Sequence, residues 1–173
     1  MIRAFRQFLR DCRGSATVEM ALMFPLILWP FLTGMEAGSM QLRRVMLERA
    51  IDEVGRDLRL GYAGLDTPDK LKAAVCREAL VLPGCADNMM LEMTVVDPAT
   101  FTPPATRPTC IDRSEKVQPV LSYRRGGKND MMMLRFCILY DPILPGTGIG
   151  AGMIRPGKGG VPIFATTFYV NEP

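Results

Sequence analysis

There is no histidine among the 173 residues. That removes the usual general base near neutral pH and the commonest metal ligand. A His-dependent triad and a His-containing zinc site are excluded. The five cysteines contain no Cys-x-x-Cys pair, which argues against a zinc ribbon and a dithiol redox motif. The body of the chain also lacks a charge excess. Residues 1–14 carry Arg3, Arg6, Arg10 and Arg13 against Asp11, whereas the rest holds 17 basic and 17 acidic side chains. A nucleic-acid binder needs a basic face on its folded part, so no nucleic-acid partner is expected. Finally, there is no charge between Glu19 and Glu36, and no Lys or Arg between Arg13 and Arg43.

What is present takes its order from that uncharged run. Met20–Met35 spans about 24 Å as a helix. Adding Ala16-Thr17-Val18, and so burying Glu19, brings it near the ~30 Å of a bilayer core. Arginines before the run and none after it until Arg43 orient the head to the cytoplasm and the remainder outside. Three readings compete. A cleaved secretory signal fits poorly, because Thr33-Gly-Met-Glu-Ala37 is a weak cleavage site. A plain signal-anchor has no use for Glu19, a carboxylate that is costly within a membrane. The third reading gives that glutamate a role.

It rests on a resemblance. A basic leader, Gly14, then Ser15-Ala-Thr-Val-Glu19 and an apolar helix resemble a type IV prepilin processing site. The resemblance implies cleavage between Gly14 and Ser15 by a prepilin peptidase. Glu19, then the fifth residue, would pair with a neighbour's N-terminal ammonium, since two opposite charges in low dielectric each need the other. Arg13-Gly14-Ser-Ala-Thr-Val-Glu19-Met-Ala21, the proline-bearing apolar run, Glu36-Ala-Gly38 and the closing Asn171-Glu172-Pro173 are similar to the TadE-like minor pilins, or pseudopilins, of tight-adherence pili. Met20 stands where many of those proteins have an aromatic, and the chain is longer than their major pilins. Both differences point to a minor subunit. The resemblance covers residues 10–60 and the tail.

It implies a pilin-like α+β fold with a 1–14 cytoplasmic leader and a 15–40 transmembrane helix. A 41–61 amphipathic extension and a 62–173 periplasmic domain follow. It further implies residence in a bacterial inner membrane, with the N-terminus cytoplasmic. The expected partners are the prepilin peptidase, other pilin and pseudopilin subunits, the inner-membrane assembly platform and membrane lipid. No cofactor and no metal are expected, and the role is assembly for surface adhesion and biofilm formation, not catalysis. Whether the subunit enters the fibre stays open. The alternative is a single-pass anchored periplasmic binding or scaffold protein without processing.

Gly34-Met-Glu-Ala-Gly38 also places two glycines on one helix face, where another backbone can approach closely; chance spacing is the plain alternative. Pro25 and Pro30 each remove a helix donor and can kink the rod. Beyond the run, Leu47, Ile51, Val54 and Leu58 form one apolar stripe, and Gly61 is a natural stop. The stripe predicts either a coiled-coil stalk or packing against a sheet, and the strands downstream need such a cover. Among the charges, Glu53–Arg56 and Asp52–Arg56 are expected to attract and Glu48–Asp52 to repel.

Thr67-Pro68 reads as N-cap and N1 of a helix over 68–82, ended by Pro83-Gly84. Cys12 lies in the head; Cys76, Cys85, Cys110 and Cys137 lie on the exported side, where disulfides persist. Three connectivities are open; the favoured one joins Cys76 to Cys85 and Cys110 to Cys137. Strands are predicted over 90–96, 131–140 and 161–170, with a short fourth over 120–123 and a proline-rich surface loop over 98–119. Turns between them give an antiparallel sheet of three to four strands, one face on the long helix. Three stretches imitate chemical motifs. Gly146–Gly152 has alternating glycines but no Gly-x-Gly-x-x-Gly and opens no helix. Gly152–Gly159 approaches a phosphate loop but ends on glycine where serine or threonine must stand. Asp112-Arg-Ser114 begins a metal-adhesion signature that Lys116 breaks. All three read as loops.

Overall fold

The computed structural model describes residues 15–61, 64–101, 107–119, 121–146, 148–153 and 159–172. Helix α1 (Ser15–Arg59) is one rod of 45 residues. Its good helix formers carry it through Pro25 and Pro30 without a break in helical assignment. Over 16–35 its apolar side chains, from Val18 to Phe31, are mostly exposed. Over its second half one face is buried: Leu47, Ala50, Ile51 and Val54, with Met40 and Leu58 packed at the ends of the stripe. The sheet-covering form of the stripe is therefore the one observed. The ion pairs on this half differ from the expected ones. Arg44 pairs with Glu48 and Arg49 with Glu53, each at i, i+4, while Asp52 accepts from the Thr167 hydroxyl. Gly61, at φ 69°, closes the helix by donating to Leu58 O, a left-handed stop that glycine takes without a Cβ penalty.

Helix α2 (Pro68–Glu78) starts as expected, with the Thr67 hydroxyl accepting from Lys70 N. It ends four residues before the predicted Leu82. The Cys76–Cys85 disulfide explains this, because its Cα atoms are 5.6 Å apart. A helix continued through Cys85 would hold them about 13 Å apart. The chain instead turns, with Gly84 at φ 60°, and buries Ala79, Leu82 and Cys85.

Strands β1 (Met89–Val96), β2 (Met131–Tyr140) and β3 (Val161–Val170) form one antiparallel sheet in the order β1-β2-β3. The register pairs Met93 with Leu134 and Leu134 with Thr167. The short fourth strand reduces to one parallel bridge: Met93 N donates to Ser122 O and Arg124 N to Met93 O. Val120 lies outside the described residues.

The inner face of the sheet, with Leu91, Met93, Met132, Leu134, Phe136, Ile138, Ile163 and Ala165, packs on α1 and α2 as a single core. The outer face is covered by the proline-rich loop, which the Cys110–Cys137 disulfide pins to β2. Phe101 meets Phe168 at 5.8 Å between ring centroids, and the Arg107 guanidinium lies over Phe164. Beneath that cover sits Arg135, buried and paired with its cross-strand neighbour Glu92 at 3.4 Å. Strand β2 is thus covered on both sides. This is why its sequence is a near-continuous apolar run rather than an alternation.

The tail returns to the helix. Arg59 pairs with Glu172 at 2.9 Å, and Asn171 donates to Gly126 O and Gly127 O.

Candidate anchor and assembly helix

The exposed half of α1 is the candidate site. Apolar side chains turned outward on a helix need a partner other than water. By length and composition α1 is the one described helix able to cross a membrane. Glu19 is exposed among these apolar residues, one turn past Ser15, where the helix begins. Residues four apart share a helix face, so the carboxylate lies on the side of the helix start. Gly14, the other half of the expected processing site, lies outside the described residues, as does the leader.

Gly34 and Gly38 are exposed, and a Cβ on either would meet nothing within 4 Å. Their shared face is open within this chain. Thr33 donates back to Trp29 O at 2.8 Å, a local bond that replaces solvent for a hydroxyl in an apolar segment.

Between the glycines and on the far side of the helix sits Glu36, to which the sequence alone assigns no role of its own. It is 2% exposed. One carboxylate oxygen accepts from Ile143 N at 3.2 Å and the other from Leu144 N at 3.0 Å. The glutamate therefore buckles the segment after β2 onto the helix. About two turns further on, Arg43 reaches the Asp141 carbonyl at 3.4 Å and lies 4.8 Å over the Tyr140 ring. Burial, then the Glu36 charge, pushes the Tyr140 phenol above its usual pKa. The signal in the sequence was the position of Glu36: the first charge after the uncharged run.

The Gly146–Gly152 stretch, read as plain loop, contains a five-residue helical turn, α3 (Gly148–Gly152). Gly148 lies on Thr33, where an added Cβ would come within 2.6 Å of the threonine Oγ1. Only glycine permits that approach, at φ 54°. Residues 154–158 of the phosphate-loop look-alike lie outside the described residues. Asp112, in the metal-adhesion look-alike, accepts from the Ser114 hydroxyl and amide. Those two bonds hold its carboxyl below the usual carboxylate range. It serves a turn.

Cys76, Cys85, Cys110 and Cys137 form the two favoured pairs. Among the described residues no group of three His, Cys, Asp or Glu could hold a metal. A polar cleft of about 680 Å³ lies at the far end of α1, lined by Arg59, Asp66, Lys70, Arg125, Lys128 and Glu172 among others. Most of these charges already have partners: Lys70 holds Asp66 at 2.7 Å, Arg59 holds Glu172, and Arg125 donates to Leu65 O.

The architecture is that of an α+β protein built on one N-terminal helix long and apolar enough to span a membrane. No protein-family model, no curated protein and no solved structure matches the chain.

Proposed function

We propose that this chain is a TadE-like minor pilin, or pseudopilin, which acts by assembly into or onto a tight-adherence pilus. One observation carries the reading. A single rod has an exposed apolar first half bearing one carboxylate, and a second half that forms the core of the head domain. Such a helix can be held by lipid and then by the helices of neighbouring subunits without unfolding the head. In this reading Gly14 and Ser15 flank a bond cut by a prepilin peptidase. Glu19 pairs with a neighbour's new N-terminus. Gly34 and Gly38 admit a neighbouring backbone. The two disulfides keep the head folded outside the cytoplasm.

The test is the intact mass of the membrane-bound protein. Loss of residues 1–14 that depends on a prepilin peptidase supports the proposal, and a full-length mature chain in cells possessing that enzyme overturns it. Glu19→Ala should be cut normally and fail in assembly; wild-type assembly would remove the pairing role. A second reading, an uncut anchored protein with a periplasmic binding domain, has the polar cleft at the end of α1 in its favour. The same mass measurement separates the two.

A further inference from the structure

We infer that residues 142–146 and 148–153 form a second membrane contact, an uncharged loop that rests in the interfacial layer of the outer leaflet beside α1. The inference rests on the reading that α1 spans the membrane. Three observations converge on it.

The first is composition. No charged residue stands between Asp141 and Arg155, and the stretch is built of proline, glycine, isoleucine and other small or apolar residues. The second is level. Glu36 binds the Ile143 and Leu144 amides, and Gly148 sits against Thr33. Thr33 belongs to the last turn of the uncharged run, about 3 Å inside Met35 along the axis. An apolar element in the interface lies about 5–10 Å into the headgroup–acyl boundary. The loop is therefore held at the shallow edge of that layer. The third is direction. Gly150 is buried and Leu144 and Met153 are half-buried on the protein side, whereas Ile143 is 48% and Ile149 42% exposed.

An isolated exposed isoleucine needs no explanation. Two of them, on an uncharged loop level with the end of the exposed apolar half of the helix, are the side chains that would face lipid. Arg43, about 10 Å beyond Glu36 on the axis, and its acceptor Asp141 mark the polar side. The chemistry recognised is the glycerol and upper acyl region, common to phospholipids, not a particular headgroup. Two contacts instead of one restrict the tilt of the head domain on its anchor.

The experiment uses the full chain in phosphatidylcholine vesicles carrying spin labels at a shallow or a deep acyl position. Trp29 is the only tryptophan, so Trp29→Phe clears the signal. In that background Ile149→Trp should emit blue-shifted light and be quenched roughly two-fold more by the shallow label than by the deep one. Leu60→Trp, at a 52% exposed position just past the far end of α1, should emit as in water and escape both labels. Water-like, unquenched emission from position 149, with Trp29 of the unmodified chain still quenched, overturns the inference and leaves the anchor standing. Equal quenching at 149 and 60 also overturns it, since the head then lies on the bilayer without a preferred side. An unquenched Trp29 overturns the spanning reading and this inference together.

Discussion

Replacing Glu36 by glutamine is the sharpest local test of how the head domain is fastened to its helix. The two carboxylate oxygens each serve one backbone amide, Ile143 at 3.2 Å and Leu144 at 3.0 Å. A glutamine offers one carbonyl oxygen and one amide that donates, so one of the two N–H groups must face another donor. A hydrogen bond to a charged group contributes roughly 1.5–3 kcal/mol, and a buried donor left unmet costs about 1–3 kcal/mol. Ile143 is half-exposed, so water can reach part of the freed segment and the lower end applies. The expected loss is about 2 kcal/mol for Glu36→Gln and about 3 kcal/mol for Glu36→Ala, which removes both acceptors. At a few degrees per kcal/mol for a domain of this size, the alanine variant should melt roughly 10 °C lower. Thermal unfolding followed by near-ultraviolet circular dichroism in detergent gives the melting shift. Amide exchange at Ile143 and Leu144 gives its location. A glutamine variant with unchanged melting and unchanged exchange at those two amides would refute the buckle.

Four further outcomes are expected. Glu92→Leu removes the carboxylate opposite buried Arg135 and should cost about 3 kcal/mol. The double variant Glu92→Leu/Arg135→Met should recover most of that, as read from urea midpoints. Cys110→Ser with Cys137→Ser opens a loop whose closure contributes about 3.6 kcal/mol, so the urea midpoint should fall while β2 still pairs with β3. Burial, first among its causes, pushes the Tyr169 phenol from 10.0 up to about 12. The neutral form is thus favoured by folding: stability is fully present below pH 10 and is lost as pH rises from 10 to 12. Tyr169→Phe should flatten part of that fall in a pH series of denaturation curves, since Tyr123 and Tyr140 are also raised. Lastly, a fragment of residues 33–173 should unfold cooperatively and one of 61–173 should not. The latter loses buried Leu47, Ile51 and Val54, each contributing about 1.5–3 kcal/mol against a whole stability of about 5–15 kcal/mol.

The parts of the fold that were legible in the sequence are those where one physical cause acts along a short stretch. The stripe Leu47–Ile51–Val54–Leu58 is a helix period and nothing else, and it is the buried face of α1. Strand β2 matched its predicted bounds because covering both faces demands ten consecutive suitable side chains. The end of α2 was misjudged because a disulfide, not a local stop signal, turns the chain after Glu78. The fourth strand shortened to a bridge in which, among the described residues, Met93 alone of β1 exchanges backbone bonds with Ser122 and Arg124. Glu36 and Arg135 stand beside or within apolar runs, but their partners, two backbone amides about 107 residues away and a cross-strand glutamate, are tertiary. Local sequence carries the cost of such a charge, not the group that offsets it.

The faces of α1 decide whether the proposed contacts are compatible. At about 100° per residue, Gly34 and Gly38 lie about 40° apart, and Glu36 is on the opposite side, about 160° from each. The uncharged loop is fixed to the Glu36 side by its two amides, while the glycine side is open. By the same count Glu19 falls about 60° from Gly34, about 100° from both Gly38 and Glu36, and about 40° from Thr33. A neighbouring helix that approaches the glycines stands opposite the Glu36 amides, and it reaches Glu19 about 21 Å further along the axis than Thr33, the loop's other contact on the rod. Had the glycines and Glu36 shared a side, the head's own loop would occupy the place of a partner helix, and lipid contact and assembly would exclude each other. In the arrangement observed, the proposed subunit can keep its loop in the membrane interface while its helix is recruited from the opposite side.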